Sequence, residues 1–136
     1  MLQIYNNINT PVTADGILTF SGTVNRFGCS AIFDFPSKIL LQNKGIYSIV
    51  ANFTYLPTTD GTVTISMVVN GVTSTINVSS GSTSTAGSPV NITIPSLIKV
   101  DLDNCCPCVD NATTINYIVD VAGVISNSNI VVNKVL

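Results

Sequence analysis

The sequence predicts an all-β fold, a jelly-roll sandwich of two antiparallel sheets with about ten strands, and three observations lead there. Apolar and polar residues alternate with period two in most apolar stretches, for example Thr62 to Val69 and Val72 to Val78. Turn signals such as Asp15-Gly16, Asp60-Gly61 and Asn70-Gly71 separate these stretches, and no segment keeps a helical period beyond two turns. A long polar stretch, Ser79 to Pro89, suits a link crossing between sheets, which a jelly roll needs and an up-and-down barrel does not. The 136 residues suit one domain, 1–136, with a core large enough to stand without metal or disulfide support.

Taken in order, Leu2 to Ile4 forms a short strand that leaves through Asn6-Asn7. Thr10-Pro11-Val12 suits an edge or a link, because proline has no N–H to give to a ladder. Ile17 to Phe20 reads as a second short strand, and Ser21 to Gly28 as a loop or weak edge. Cys29 to Phe35 is a strand stopped by Pro36, Lys38 to Leu41 follows, and Asn43-Lys44-Gly45 turns the chain. Tyr47, Ile49, Ala51, Phe53 and Tyr55 then share one strand face, with Ser48, Asn52 and Thr54 on the other. Asn70-Gly71 supplies the two positive-φ residues of a type I′ hairpin turn. The strand before that hairpin is expected to pair with it as a three-stranded meander, and Ser79 to Ser88 to be a flexible loop. Val90 to Ile94 and Leu97 to Leu102 are strand-like on either side of Pro95. Thr114 to Val121 and Asn129 to Val135 close the chain as strands, with Gly123 to Ser128 between them.

Charged residues make up only 9 % of the chain, against about 25 % in typical soluble domains. Asn, Ser and Thr take their place, and a lone molecule so poor in charge is weakly protected against association. Much of its surface is therefore expected to be covered by copies of itself or by a larger assembly. Five scattered basic residues and a net charge of −2 give no footprint for nucleic acid or for a membrane surface. No apolar run is long enough for a spanning helix, and MLQIYNNINTP lacks the start of a secretory signal, so synthesis in the cytoplasm is expected.

Histidine is absent and every acid is Asp, which leaves no ready general acid or base near neutral pH. No nucleophile-base pair or phosphate-binding loop appears, so no enzyme activity and no cofactor are expected. Cys29, Cys105, Cys106 and Cys108 form the one chemically pointed cluster. Three readings stay open: free or buried thiols, a disulfide from Cys29 to the later cluster, or a soft-metal site. Adjacent Cys105 and Cys106 point apart in an extended chain, which argues against the metal. Asp101, Asp103, Asp110 and Asn111 are oxygen ligands suited to calcium, although such a series more often marks a solvated loop.

Gly45-Ile46-Tyr47-Ser48-Ile49, the hairpin Gly61 to Gly71 and the closing Ile130 to Val135 together resemble the tumour necrosis factor/complement-globular-head superfamily. The likeness is to its bacterial and phage branch, which includes phage head-fibre and capsid-decoration proteins and the heads of spore-surface glycoproteins. It covers about half of the chain and speaks to architecture, since none of these motifs is catalytic. The resemblance implies a homotrimeric jelly roll, with Tyr47, Phe53, Tyr55, Tyr117, Val135 and Leu136 as candidates for the seam around the threefold axis. For each of them the ordinary core reading stands ahead of the seam reading. No Gly-X-Y repeat precedes the domain, which favours a virion protein over a spore protein. The expected function is a non-enzymatic trimeric capsid decoration or head fibre on the virion surface, contacting the major capsid protein or another virion component. The alternative is an adhesin or spore-coat module recognising glycans or a host surface. Its binding loop would be Ser79, Ser80, Gly81, Ser82, Thr83, Ser84 and Thr85, where jelly rolls carry variable loops.

Overall fold

The computed structural model describes residues 1–101 and 112–136. Among them the strands are β1 (Leu2–Asn6), β2 (Thr10–Val12), β3 (Gly22–Arg26), β4 (Ala31–Asp34), β5 (Lys38–Leu41), β6 (Gly45–Pro57), β7 (Gly61–Val69), β8 (Val72–Thr83), β9 (Val90–Val100), β10 (Thr113–Val119) and β11 (Gly123–Lys134). Two antiparallel sheets result. One has the order β3-β1-β11-β6-β9, with β2 also on β11; the other has the order β4-β5-β10-β7-β8. The all-β jelly-roll sandwich expected from the alternation is the fold observed.

Alternation decides which side chains meet between the sheets. On β6, Tyr47, Ile49, Ala51, Phe53 and Tyr55 point inward and are buried, as are Ile65 and Met67 of β7 and Ile115, Tyr117 and Val119 of β10. They join Leu2, Ile4, Ile130 and Val132 in one continuous core. Each such aliphatic side chain contributes about 1.5–3 kcal/mol relative to exposure. Phe53 packs edge-on against Tyr117 at 5.1 Å, joining a ring of one sheet to a ring of the other.

The Asn70-Gly71 hairpin forms as expected, with φ of 50° and 80°. The meander does not. β6 pairs with β11 and β9 in the first sheet, whereas β7 pairs with β8 and β10 in the second. The link after Pro57 carries the chain across the sandwich, held by Thr58 N–H donating to Ala122 O at 3.0 Å. A period of two reveals which face of a strand is buried but not which strand lies beside it.

Three other boundaries move for physical reasons. Gly123 to Ser128 is the first half of β11, hidden in the sequence because a bulge between Ile125 and Asn127 shifts the inward set from Gly123 and Ile125 to Ser128, Ile130 and Val132. Pro95 does not interrupt β9, since β9 is an edge strand and its proline stands opposite Val50 without needing an outward partner. Ile17 to Phe20 makes an isolated bridge from Ile17 to Ile118 and two backbone hydrogen bonds, from Leu18 N–H to Tyr117 O and from Phe20 N–H to Pro36 O, without forming a strand, although Leu18 and Phe20 are buried. Ser21 to Gly28 resolves to the edge strand β3.

Candidate interaction surface

The four aromatic seam candidates lie inside the isolated chain. Tyr47, Tyr55 and Tyr117 are fully buried and Phe53 is 2 % exposed, because all share the inward parity of their strands. Their assignment to a seam between copies is corrected to core. Tyr47 and Tyr55 donate to Asn43 O and Val121 O, each at 2.6 Å. The Tyr117 hydroxyl is buried without a hydrogen-bond partner among the described residues. Burial, with a smaller contribution from Asp120, pushes the Tyr55 phenol up to about 12, and burial raises that of Tyr117 further. Val135 and Leu136 are exposed at the end of the first sheet, where Val135 N–H donates to Ile46 O at 2.8 Å.

The expected binding loop is mostly strand. Ser79 to Thr83 belong to β8 and pair with Gly61 to Ile65, leaving Ser84 and Thr85 in the turn. Serine and threonine suit an exposed strand well enough once β7 offers a partner. Gly81 is required there because a Cβ would run into Val90 of the neighbouring β9. Cys29 is disulfide-bonded, whereas Cys105, Cys106 and Cys108 lie outside the described residues. Of the proposed calcium ligands only Asp101 is described, and it pairs with Lys99 at 3.3 Å; Asp103, Asp110 and Asn111 lie outside.

What the fold does assemble is an outward face on the six-stranded sheet that is uncharged in its middle rows, with Lys99 at one end. Across it Tyr5, Asn129, Asn52 and Thr93 stand in register on β1, β11, β6 and β9. Side-chain amides and hydroxyls link neighbouring strands: Asn25 donates to Gln3 at 3.1 Å, Gln3 to Asn129 at 3.1 Å, Thr93 to Asn52 at 2.8 Å and Thr54 to Asn91 at 3.0 Å. The β11 bulge opens a groove of about 300 Å³ beside Asn52, Thr54, Asn91, Thr93, Asn127 and Asn129.

The next rows of the same face turn apolar. Val131, Val50 and Pro95 are aligned, with Ser48 opposite Leu97 in the row beyond. A second groove, about 470 Å³, lies between this region and Ile76 of β8. Ile76 is 84 % exposed and Leu97 69 %. Ile76 is pushed out because β8 gains three residues between its pairings to Val68 and Ser66, and Ser74 Oγ accepts from Ile76 N–H at 3.2 Å and Asn77 N–H at 2.9 Å. Sequence reasoning missed this patch, though a signal was present. Val50 and Leu97 sit at outward positions whose neighbours on the same strand faces include the polar Ser48, Asn52, Asn91 and Thr93.

No protein-family model matches the chain, and no curated protein matches it in sequence. Solved structures do match in fold. Eiger TNF from S. frugiperda is 11 % identical with a TM-score of 0.72, over 99 % of this chain and 91 % of that one. Murine APRIL at pH 5.0 is 12 % identical with a TM-score of 0.68, over 95 % of each chain. PRD1 vertex protein P5 is 19 % identical with a TM-score of 0.66, over 99 % of this chain and 96 % of that one. The chain therefore has the tumour necrosis factor-like jelly-roll fold, and it shares that fold along nearly its whole length with a vertex protein as well as with the TNF proteins.

Proposed function

We propose that this protein is a non-enzymatic structural component of a phage virion, a single jelly-roll domain displayed on the particle surface as a homotrimer and held there by the major capsid protein or another virion component. The observation that carries the proposal is the uncharged groove on the outward face with its apolar rim of Val50, Pro95, Leu97 and Ile76. Exposed apolar patches framed by polar residues mark association sites, and this one joins a flat sheet face to a β8–β9 edge. An edge set against a face is a heterologous contact, which closes into a ring when the rotation allows. The likeness to PRD1 vertex protein P5 supports the virion role. Light scattering on the purified protein at micromolar concentration is expected to give the mass of three chains; a stable monomer removes the proposal's main support.

A second reading, an adhesin recognising a glycan, is favoured by the amide-lined groove at Asn52, Asn91, Asn127 and Asn129, whose neutral donors and acceptors suit sugar hydroxyls. Saturable binding to a neutral glycan, abolished by Asn129→Ala with the trimer intact, moves the assignment to that reading.

A further inference from the structure

Three of the four asparagines that line the groove beside the β11 bulge are held by the same end of the amide. Asn52 Oδ1 accepts from the Thr93 hydroxyl at 2.8 Å, Asn91 Oδ1 from the Thr54 hydroxyl at 3.0 Å, and Asn129 Oδ1 from Gln3 Nε2 at 3.1 Å. Register makes the first two bonds reciprocal: Asn52 stands opposite Thr93 and Thr54 opposite Asn91, so each strand gives one amide and one hydroxyl. The third ends a relay, because Asn25 Nδ2 donates to Gln3 Oε1 at 3.1 Å on the far side. Amides bonded in one direction polarise one another, which strengthens the donor at the end of the series. A carboxamide carries one acceptor oxygen and one NH2 donor group. With the oxygens engaged, the open ends are the Nδ2 groups of Asn52, Asn91 and Asn129, none of which has an acceptor among the described residues. The fourth asparagine, Asn127, is brought opposite Thr54 by the bulge and is exposed there.

We infer that this groove is a site for an acetamido sugar of a surface polysaccharide, a neutral ring whose N-acetyl carbonyl oxygen accepts from the Nδ2 groups. Donors outnumber open acceptors here, and that decides the class of ligand. A sugar hydroxyl that accepts from an amide also brings an O–H in need of an acceptor, and three of the groove's amide oxygens already hold a bond each. A carbonyl oxygen brings no such demand and has lone pairs for two donors. An inorganic anion would accept as well, but the lining holds no cation to offset the loss of its hydration. At about 300 Å³ the groove is at the small end of ligand sites, with room for one sugar residue and its acetyl group. Its lining shares no residue with the groove beside Ile76, so a sugar seated among the asparagines leaves that groove open to a neighbouring copy. An acetylated lysine offers the same carbonyl, and the experiment carries both sources.

The sugar class rests on the glycan reading above, and the two can fail separately. The full chain is titrated by calorimetry with chitotriose, a trimer of N-acetylglucosamine, and with cellotriose, which carries hydroxyls in place of the acetamido groups. Chitotriose should bind saturably and cellotriose about tenfold more weakly, the loss expected for one good hydrogen bond. N91D and N129D each exchange the Nδ2 donor for an oxygen while keeping the acceptor that Thr54 or Gln3 uses, and each should weaken chitotriose about tenfold. N133D puts the same charge on β11 outside the groove and should leave binding unchanged. Ligand and lining are both neutral, so affinity should hold from about 0.1 M to about 1 M ionic strength. The two trisaccharides are compared on the parent chain, so a poorly folding variant does not remove the test. Equal affinity for both sugars overturns the acetamido assignment and leaves the glycan reading standing. Unaltered binding by both N91D and N129D, or full competition by N-acetyl-lysine or sulfate, also overturns it. Binding of neither sugar removes the assignment and the glycan reading together, and a trimeric mass in solution then still supports the virion role.

Discussion

At the scale of single residues, the core contains hydroxyls that do unequal work. Tyr47 and Tyr55 anchor loops through 2.6 Å bonds to carbonyls, but the Tyr117 hydroxyl is buried with no partner among the described residues. Leaving such a group unpaired costs about 1–3 kcal/mol. Tyr117→Phe removes it without changing the ring that packs on Phe53, so it should raise stability by about 1 kcal/mol, read as a higher urea midpoint at unchanged slope. The same tyrosines set an alkaline limit. Both Tyr55 and Tyr117 are held protonated in the folded chain above their ordinary value of 10.0, Tyr55 to about 12. The unfolded chain therefore loses these protons first. The stabilisation is complete below pH 10 and is lost as pH rises through the folded values, by about 1.4 kcal/mol per pH unit for each tyrosine. Denaturant melts across this range should steepen in pH dependence above pH 10, and Tyr117→Phe should flatten the slope; an unaltered slope in that variant contradicts the assignment.

At the scale of elements, the β7–β8 turn shows how local chemistry is tied to the neighbouring strand. Asn70 takes a φ of 50°, while its N–H donates to Thr114 O and its Oδ1 accepts from Thr114 N–H, both at 2.9 Å. Asn70→Ala loses the side-chain acceptor and places a Cβ residue poorly suited to that backbone, at a cost of about 2 kcal/mol. Asn70→Asp keeps the acceptor and should recover most of it, and Asn70→Gly should fall between; equal urea midpoints for the alanine and aspartate variants contradict the role given to the side chain. This turn was legible in the sequence because Asn-Gly has a local conformational cause. So were the inward faces of β6, β7 and β10, where every second residue is buried, as in Tyr47, Ile49, Ala51, Phe53 and Tyr55 of β6. The partnering of β6 was not, since the crossing at Pro57 to Asp60 depends on contacts with Ala122, far away in sequence. Nor was the first half of β11, where one bulge reverses the parity on which the reading relies. The candidate surface fared differently from the core for a related reason. Large aromatic residues drew attention to Tyr47, Phe53, Tyr55 and Tyr117, yet parity sends all four inward. Val50 and Leu97 are smaller and less conspicuous, but they face outward beside the polar Ser48, Asn52 and Thr93.

At the scale of the whole molecule, scarcity of charge acquires a location. Both grooves on the six-stranded side, the amide-lined one and the one beside Ile76, have linings without a charged side chain. Lys44, Lys99 and Lys134 instead stand together at the end of that sheet where β6 begins. A contact built on the face and the β8–β9 edge should therefore be carried by apolar burial and hydrogen bonding, with little sensitivity to ionic strength. Ile76→Asp with Leu97→Asp places a carboxylate on each side of the larger groove while leaving the inward parity of β8 and β9 untouched, because both residues already face solvent in the isolated chain. The double variant should keep the strand signature in circular dichroism and fall to the mass of one chain in light scattering. Phe27→Ser, an equally exposed apolar position (71 %) beyond β3, should leave the mass of the parent unchanged. The parent should hold its assembly from about 0.1 M to about 1 M salt. If Phe27→Ser dissociates the assembly and the β8–β9 pair does not, copies meet through the opposite margin of the sandwich, and the edge-on-face geometry is wrong even though the fold is unchanged.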